Sequence, residues 1–417
     1  MTIPADAWPP GEVERTDLTD WFAVGLGVFL VLIYSQAWIA PIFGVQIDAS
    51  SSGTVRNVYF PAYAAGIALL AMVPLASFQA MLRQPFLILL LTIVAASTLW
   101  SIAPDATIRR LIAVSATTIG GIALATRFRW AALAEVLGAA YGLLAVLSVL
   151  WAILPPHNGI MTELFPGAWR GLWNEKNSLG GNMAMAFSIL VAAALLNPRR
   201  RMIWGVLAAV ALGLVLMSTS KTSLVSLILG AGAIGFVWFA RRGPASGIAA
   251  TWAAVLAALL LAGFLLFASD VFFELFGKDA TLTGRTRIWA AAIRQAELRP
   301  LTGYGYGAVW DDKSGWDPLA WITKEAGFKP SHAHNAWLEQ WLGMGYGGVI
   351  AWGLLYLQTM AAAIAAVFSR PGAYLALPFL VIYSLLTLTE SVAVTYNDIR
   401  WAIFVALAVK LAWRGRE

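Results

Sequence analysis

The sequence predicts an all-α integral membrane protein of about twelve transmembrane helices, covered on one face by a helical cap. Composition is the first observation behind this: of 417 residues, 60% are hydrophobic and 12% charged, against roughly a quarter charged in ordinary globular domains. Mean hydropathy is +0.73, which is more apolar surface than a soluble fold can hide. The second observation is pattern. Long apolar runs are broken by short charged connections, as a bilayer demands when each helix needs about 20 apolar residues to cross it. A closed β-barrel is the other spanning solution, and its alternating pattern is absent. The third is where the charges lie: those behind a pI of about 9.6 sit in the connections, so they report topology, and no nucleic-acid partner is expected.

Apolar windows of about 19 residues place helices near 19–40, 58–80, 85–100, 107–126, 128–153, 178–196, 202–218, 221–240, 247–268, 335–366, 372–391 and 399–413. An acidic tail (Asp6, Glu12, Glu14, Asp17, Asp20) leads into the first run. That run lacks a small-residue cleavage site and reads as a retained helix, not a signal peptide. With a cytoplasmic N-terminus, the inner connections carry Arg83, then Arg127 and Arg129, then Arg199, Arg200 and Arg201, then Arg241 and Arg242, then Arg370. The C-terminal tail adds Lys410, Arg414 and Arg416. Every inner connection is then short and basic, as the positive-inside rule requires, and both termini are cytoplasmic. The expected organisation is a tail (1–18), helices one to nine (19–268), an outer cap loop (269–334), and the last three helices with a short tail (335–417). No separate soluble domain, low-complexity tract or repeat is evident, and the absence of cysteine removes disulfides, thiolate nucleophiles and Cys-ligated metals.

Two outer connections are long, 154–177 and 269–333, and long ordered loops usually carry function. The second holds eight Lys/Arg and eight Asp/Glu. It predicts a helix over 284–298 stopped by Pro300, a glycine-rich turn Gly303-Tyr304-Gly305-Tyr306-Gly307, and a short helix at Pro318–Ala326. All three histidines, His157, His332 and His334, fall on this side. His334 precedes Asn335 at the start of the tenth span, where an imidazole meets the positive end of a helix dipole. A neutral histidine there is a usable general base; the alternative is a histidine that only caps or hydrogen-bonds in the loop. The His332-x-His334 pair lacks a third ligand at metal spacing.

Arginines form the second signal. Arg170, in Arg-Gly-Leu-Trp-Asn-Glu-Lys176-Asn177-Ser, precedes the sixth span, and Arg285, in Thr-Gly-Arg-Thr-Arg287-Ile-Trp289, opens the cap helix. A guanidinium offers bidentate hydrogen bonds to phosphate oxygens, and a helix start adds amide donors for the same anion. Lys221 lies in a tight outer turn and adds a point charge, so these residues suggest an anionic headgroup site. Two decoys are discounted. Gly343-x-Gly345-x-x-Gly348 fits a dinucleotide fingerprint but lies inside a spanning helix without a βαβ unit, so close helix packing is the better reading. Asp311, Asp312 and Asp317 read as a solvated loop, and neither metal nor cofactor is expected. Glu135, Glu339 and Glu390 are ionisable residues inside spans, functional candidates by default. Glu339 lies one helical turn beyond Asn335, where it can orient a loop-side partner.

At these residues the chain resembles the O-antigen ligase and Wzy polymerase superfamily. That family's ligase motif, His-[Asn/Ser/Gln]-x9-Gly-x-x-[Gly/Thr/Tyr], is met by His334-Asn335, nine residues, then Gly345 and Gly348. Arg170-Gly-x-Trp-x-x-Lys176-Asn177-x-Leu-Gly180, Gly284-Arg285-Thr-x-Ile-Trp289 and Pro300-x-x-Gly303-Tyr304-Gly305 precede it in family order. Lys-Asn-x-Leu-Gly and Thr-Gly-Arg-Thr look more like ExoQ-type exopolysaccharide polymerases than lipopolysaccharide ligases. The motifs cover roughly residues 165–350. The resemblance implies a GT-C-like, inverting, metal-independent glycosyltransferase of the bacterial inner membrane, with its site facing the periplasm. Its substrates would be an undecaprenyl-pyrophosphate-linked oligosaccharide and an acceptor glycan or glycolipid, among membrane lipids. His334 would then be the base acting on the acceptor hydroxyl, with Arg170, Arg285 and Lys221 on the donor pyrophosphate. Arg287, His332, Asn335, Glu339, Lys176 and Asn177 would be ancillary, and Arg285 is preferred to Arg287 on motif position. Polymerase and ligase are not separated by sequence. A flippase using the arginines only to bind is the reading from another class.

Overall fold

The computed structural model describes residues 18–44, 53–163, 165–267, 284–311 and 317–413. The tail carboxylates Asp6, Glu12, Glu14 and Asp17, the cap segment before Gly284, Asp312, Arg414 and Arg416 lie outside the described residues. Each of the twelve apolar windows coincides with helix. In chain order these are α1 (Leu18–Tyr34), the pair α2 (Phe60–Ala71) and α3 (Pro74–Leu82), α4 (Pro85–Ala96), α5 (Pro104–Arg127) and α6 (Trp130–Ile153). There follow α7 (Lys176–Leu196), α8 (Arg201–Met217), α9 (Lys221–Ala240) and α10 (Pro244–Phe267). Two helices of the long loop, α11 (Arg285–Leu298) and α12 (Pro318–Ala326), precede α13 (Ala336–Val367), α14 (Ala373–Thr389) and α15 (Ile399–Ala412). Among the described residues six helices are long and apolar enough to cross a membrane, or seven if one bent pair is a single span, and four apolar helices are shorter.

Two windows read as single helices are broken. The 58–80 window bends by 94° between α2 and α3, because Pro74 opens α3 and cannot continue the ladder of α2. The 335–366 window opens at Gly345, whose φ of 64° and ψ of −161° interrupt α13. The groups freed there bond to the loop: Tyr304 N–H donates to the Leu342 carbonyl at 2.8 Å, Gly305 N–H to Gly343 at 2.9 Å, and Tyr346 N–H to Pro300 at 2.8 Å. A Cβ at Gly345 would strike the Leu301 carbonyl group, and one at Gly303 would meet the Gly343 carbonyl carbon at 2.6 Å. The glycine run therefore admits the Pro300–Gly305 turn and not a neighbouring helix, which corrects the packing expected from sequence.

The centre of the bundle is α15, buried on every side from Trp401 to Leu411, as an all-round apolar helix must be. It packs against α5 and α13. Gly121 of α5 approaches so closely that a Cβ would lie 2.6 Å from the Ala402 carbonyl oxygen. Trp401 stacks on Phe404 with ring centroids 5.6 Å apart, and Phe404 on Tyr383 of α14 at 5.1 Å. At the far end the buried Lys410 ammonium donates to the Ala125 and Phe128 carbonyls at 3.2 and 2.6 Å, meeting the negative end of α5. The connections read as inner gather at that end: Arg127 pairs with Asp20, Arg200 with Glu135 at 3.3 Å, and Arg241 donates to the Arg370 carbonyl at 2.6 Å. Those read as outer gather at the other, where Gln36 and Tyr63 donate to Asn397 at 2.9 and 2.6 Å and Arg110 donates to the Gly307 carbonyl. The two sets of connections thus gather at opposite ends, and apolar side chains such as Ile203, Val206 and Trp252 are exposed around the bundle.

Replacing Gly345 with valine should lower stability by about 3 kcal/mol or more, since a β-branched residue is strained at positive φ and its Cβ displaces the docked turn. Thermal unfolding in detergent measures the loss, and limited proteolysis should show 300–311 newly cleavable.

Candidate functional site

Helices α11 and α12, the 304–309 turn and the first turns of α13 form a small second core around Ala292, Ala296, Ile322 and Leu342. This core holds the stretch before α13. Asn335 caps the helix, its Oδ1 accepting from Trp337 N–H at 3.0 Å and Leu338 N–H at 3.1 Å. Trp289 of α11 donates to the Ala333 carbonyl at 2.8 Å, and Glu339 accepts the Ala333 N–H at 2.6 Å, the Ser391 hydroxyl at 2.9 Å and the Trp310 indole N–H at 2.7 Å. Glu339 thus ties the loop, Trp310 and Ser391 to the start of α13. His334 is held with φ at 51°, a left-handed conformation uncommon outside glycine.

Glu390, just beyond α14, joins two of the residues singled out from sequence. Its Oε2 lies 3.1 Å from His334 Nδ1 and its Oε1 2.7 Å from Arg285 Nη2. Burial would raise its carboxyl, but the His334 hydrogen bond and the Arg285 charge outweigh that and hold it at about 2. An ionised carboxylate only accepts, so His334 Nδ1 carries the hydrogen, and the tautomer that this selects for a neutral ring is the one with its lone pair on Nε2. Such a carboxylate–imidazole pair can orient a histidine for proton transfer. The His334 side chain stays 28% exposed and Glu390 23%. Arg285 also donates to the Thr389 carbonyl at 2.6 Å, so both its terminal nitrogens are engaged, and Arg287 is exposed. The inward guanidinium is therefore that of Arg285.

The remaining residues assemble at the starts of α7 and α9. Lys176 lies 3.7 Å above the Phe165 ring, Lys221 opens α9, and Ser220 Oγ donates to Asn177 Oδ1 at 2.9 Å, tying the two helix starts together. Arg170 is fixed by the carbonyls of Asn158 at 2.7 Å and His157 at 3.0 Å. Glu175 links the two groups. Its side chain is exposed, yet enclosing protein raises its carboxyl, Glu390 raises it further, and His334 and Arg285 oppose the rise. Sequence reading gave no role to Glu175, although it stands inside the Arg170–Ser178 motif, or to Arg400, which pairs with Asp398. Arg400 did carry a signal, being a cation at the end where the positive-inside rule wants none. Asp311 is paired to Arg109 at 3.6 Å, and no group of three or more His, Asp or Glu fit to hold a metal occurs among the described residues.

Residues 206–353 match the O-antigen ligase family, Wzy_C. The chain is 32% identical over 199 residues to the exopolysaccharide production protein ExoQ of Rhizobium meliloti (strain 1021). That match covers 43% of this chain and 43% of the relative, so the chain spans less than half of that protein's length. The family match includes Lys221, Arg285, His334 and Glu339, and leaves Arg170, Lys176 and Glu390 outside it.

Arg285→Ala, Glu390→Ala and the double variant should show a coupling of about 1–3 kcal/mol in thermal unfolding, because either single change strands a half-buried charge. The pairing is complete above the ordinary carboxylate value and is lost as pH falls through about 2. The coupling should therefore be constant from pH 5 upward.

Proposed function

We propose that this chain, whose residues 206–353 match the O-antigen ligase family and which is similar to ExoQ, is a polysaccharide polymerase of the bacterial inner membrane. It extends a glycan carried on undecaprenyl pyrophosphate by transferring it to a sugar hydroxyl of an incoming lipid-linked repeat unit. The observation that carries this reading is the His334–Glu390 pair in a part-exposed site beside Arg285. His334 Nε2 takes the acceptor hydroxyl proton while that oxygen attacks the anomeric carbon from the face opposite the pyrophosphate. The anomeric C–O bond breaks, its electron pair leaves on the phosphate oxygen, and configuration inverts. Glu390 stabilises the imidazolium as it forms. Arg170, Lys176 and Lys221, with the amides of α7 and α9, meet the charge that grows on the departing pyrophosphate. Arg285, with its terminal nitrogens engaged, contributes field and holds Glu390 in place.

A basic end gathering Arg127, Arg200, Arg241 and Lys410 supports a cytoplasmic location for that end and a periplasmic site. Protein in vesicles supplied with an undecaprenyl-pyrophosphate-linked repeat unit should make a ladder of products that survives a chelator. His334→Ala should lower the rate by about 10²–10⁴-fold, the usual worth of a general base, and Glu390→Gln should also lower it by presenting the wrong tautomer. Transfer to an added core glycolipid without a ladder would make the protein a ligase. Movement of substrate across the bilayer without new glycosidic bonds would make it a flippase.

A further inference from the structure

We propose that His332 is a positioning residue that works only while neutral, its Nδ1 accepting the backbone N–H of His334 and so holding the base in its left-handed conformation. This rests on the reading of His334 as the base. The His334 N–H lies 3.2 Å from His332 Nδ1. An amide N–H can only donate, so that nitrogen presents a lone pair and the ring hydrogen is on Nε2. Ser391 Oγ lies 3.5 Å from the same nitrogen, and its own proton goes to Glu339 Oε1 at 2.9 Å. Nδ1 of His332 thus stands between one donor and one acceptor, and its protonation state selects between them. Neutral, it holds His334; protonated, it loses the backbone bond and turns its N–H to Ser391.

The surroundings keep it neutral. The two imidazole rings lie 3.9 Å apart at 53°. Burial, then His334, then Arg285 from α11 and Arg400 from α15 push His332 down, Glu390 pulls it up, and the outcome is about 4. Glu339 of α13 faces it only through Ser391. The folded value is depressed, so the positioning bond is complete above the ordinary value of 6.5 and is lost as pH falls through about 4.

The chain has three histidines, so ¹⁵N-histidine spectra of the full chain in nanodiscs can be assigned with His332→Asn and His157→Gln. At pH 7 the His332 signal should be the neutral Nε2–H tautomer, and it should become cationic only near pH 4. An Nδ1–H tautomer, or a cation at pH 7, overturns the proposal whatever the activity. In the vesicle assay His332→Ala should lower kcat by about 10–100-fold with KM unchanged, the size expected when a base is misplaced. His332→Asn, whose amide oxygen replaces Nδ1 as acceptor, should restore most of the rate and shed one proton from the acid limb of the pH profile. A His332→Ala enzyme with wild-type kcat, beside an inactive His334→Ala, also overturns it. A fully active His334→Ala would instead remove the base that His332 is said to position, while leaving the tautomer result standing.

Discussion

A helix that opens its own hydrogen-bond ladder near a bilayer must find new partners for the groups it frees, and at Gly345 those partners are the backbone of the Pro300–Gly305 turn. Much of the outer end follows from this exchange. It anchors the loop to α13, fixes where the small second core can form, and sets α11 so that Trp289 reaches the Ala333 carbonyl. The start of α13 is thus held from two directions, by its glycines below and by the loop helices above. An exact backbone position for His334 is the product.

Charge at this end is arranged in pairs, each placing a carboxylate where it directs a cation or an imidazole. Glu390 holds Arg285 and His334 together, Asp398 holds Arg400, and Asp311 meets Arg109. Lys176, Lys221 and Arg170 are instead fixed by a ring, a helix start and main-chain carbonyls. The transfer proposed above would use that division, with a fixed negative neighbour at the proposed base and less directly paired cations on the side proposed for the leaving group.

The all-helical class, the apolar runs and even the bounds of α12 were legible in the sequence, because hydrophobic length is a consequence of the bilayer itself. His334, Asn335 and Glu339 were legible because a helix start has a local signature. Glu390 was visible only as an ionisable residue in a span, since its partners lie 56 and 105 positions away. Pairing across that separation is set by how α14 returns to the outer end. The two breaks escaped for a different reason. Apolar windows measure hydrophobic length, and neither Pro74 nor Gly345 alters it. The contact between His332 Nδ1 and the His334 N–H depends on the backbone angle of His334, which no residue-type pattern encodes.

The helix with the most complete burial, α15, comes after the fourteen labelled helices, including α5 and α13, against which it packs. Helices α5 and α13 are therefore translated before the segment Trp401–Leu411 that fills the space between them. Lys410 reaches the exposed carbonyls of α5 only then. Packing at the centre of the bundle therefore waits on α15, which follows every other described helix in the chain.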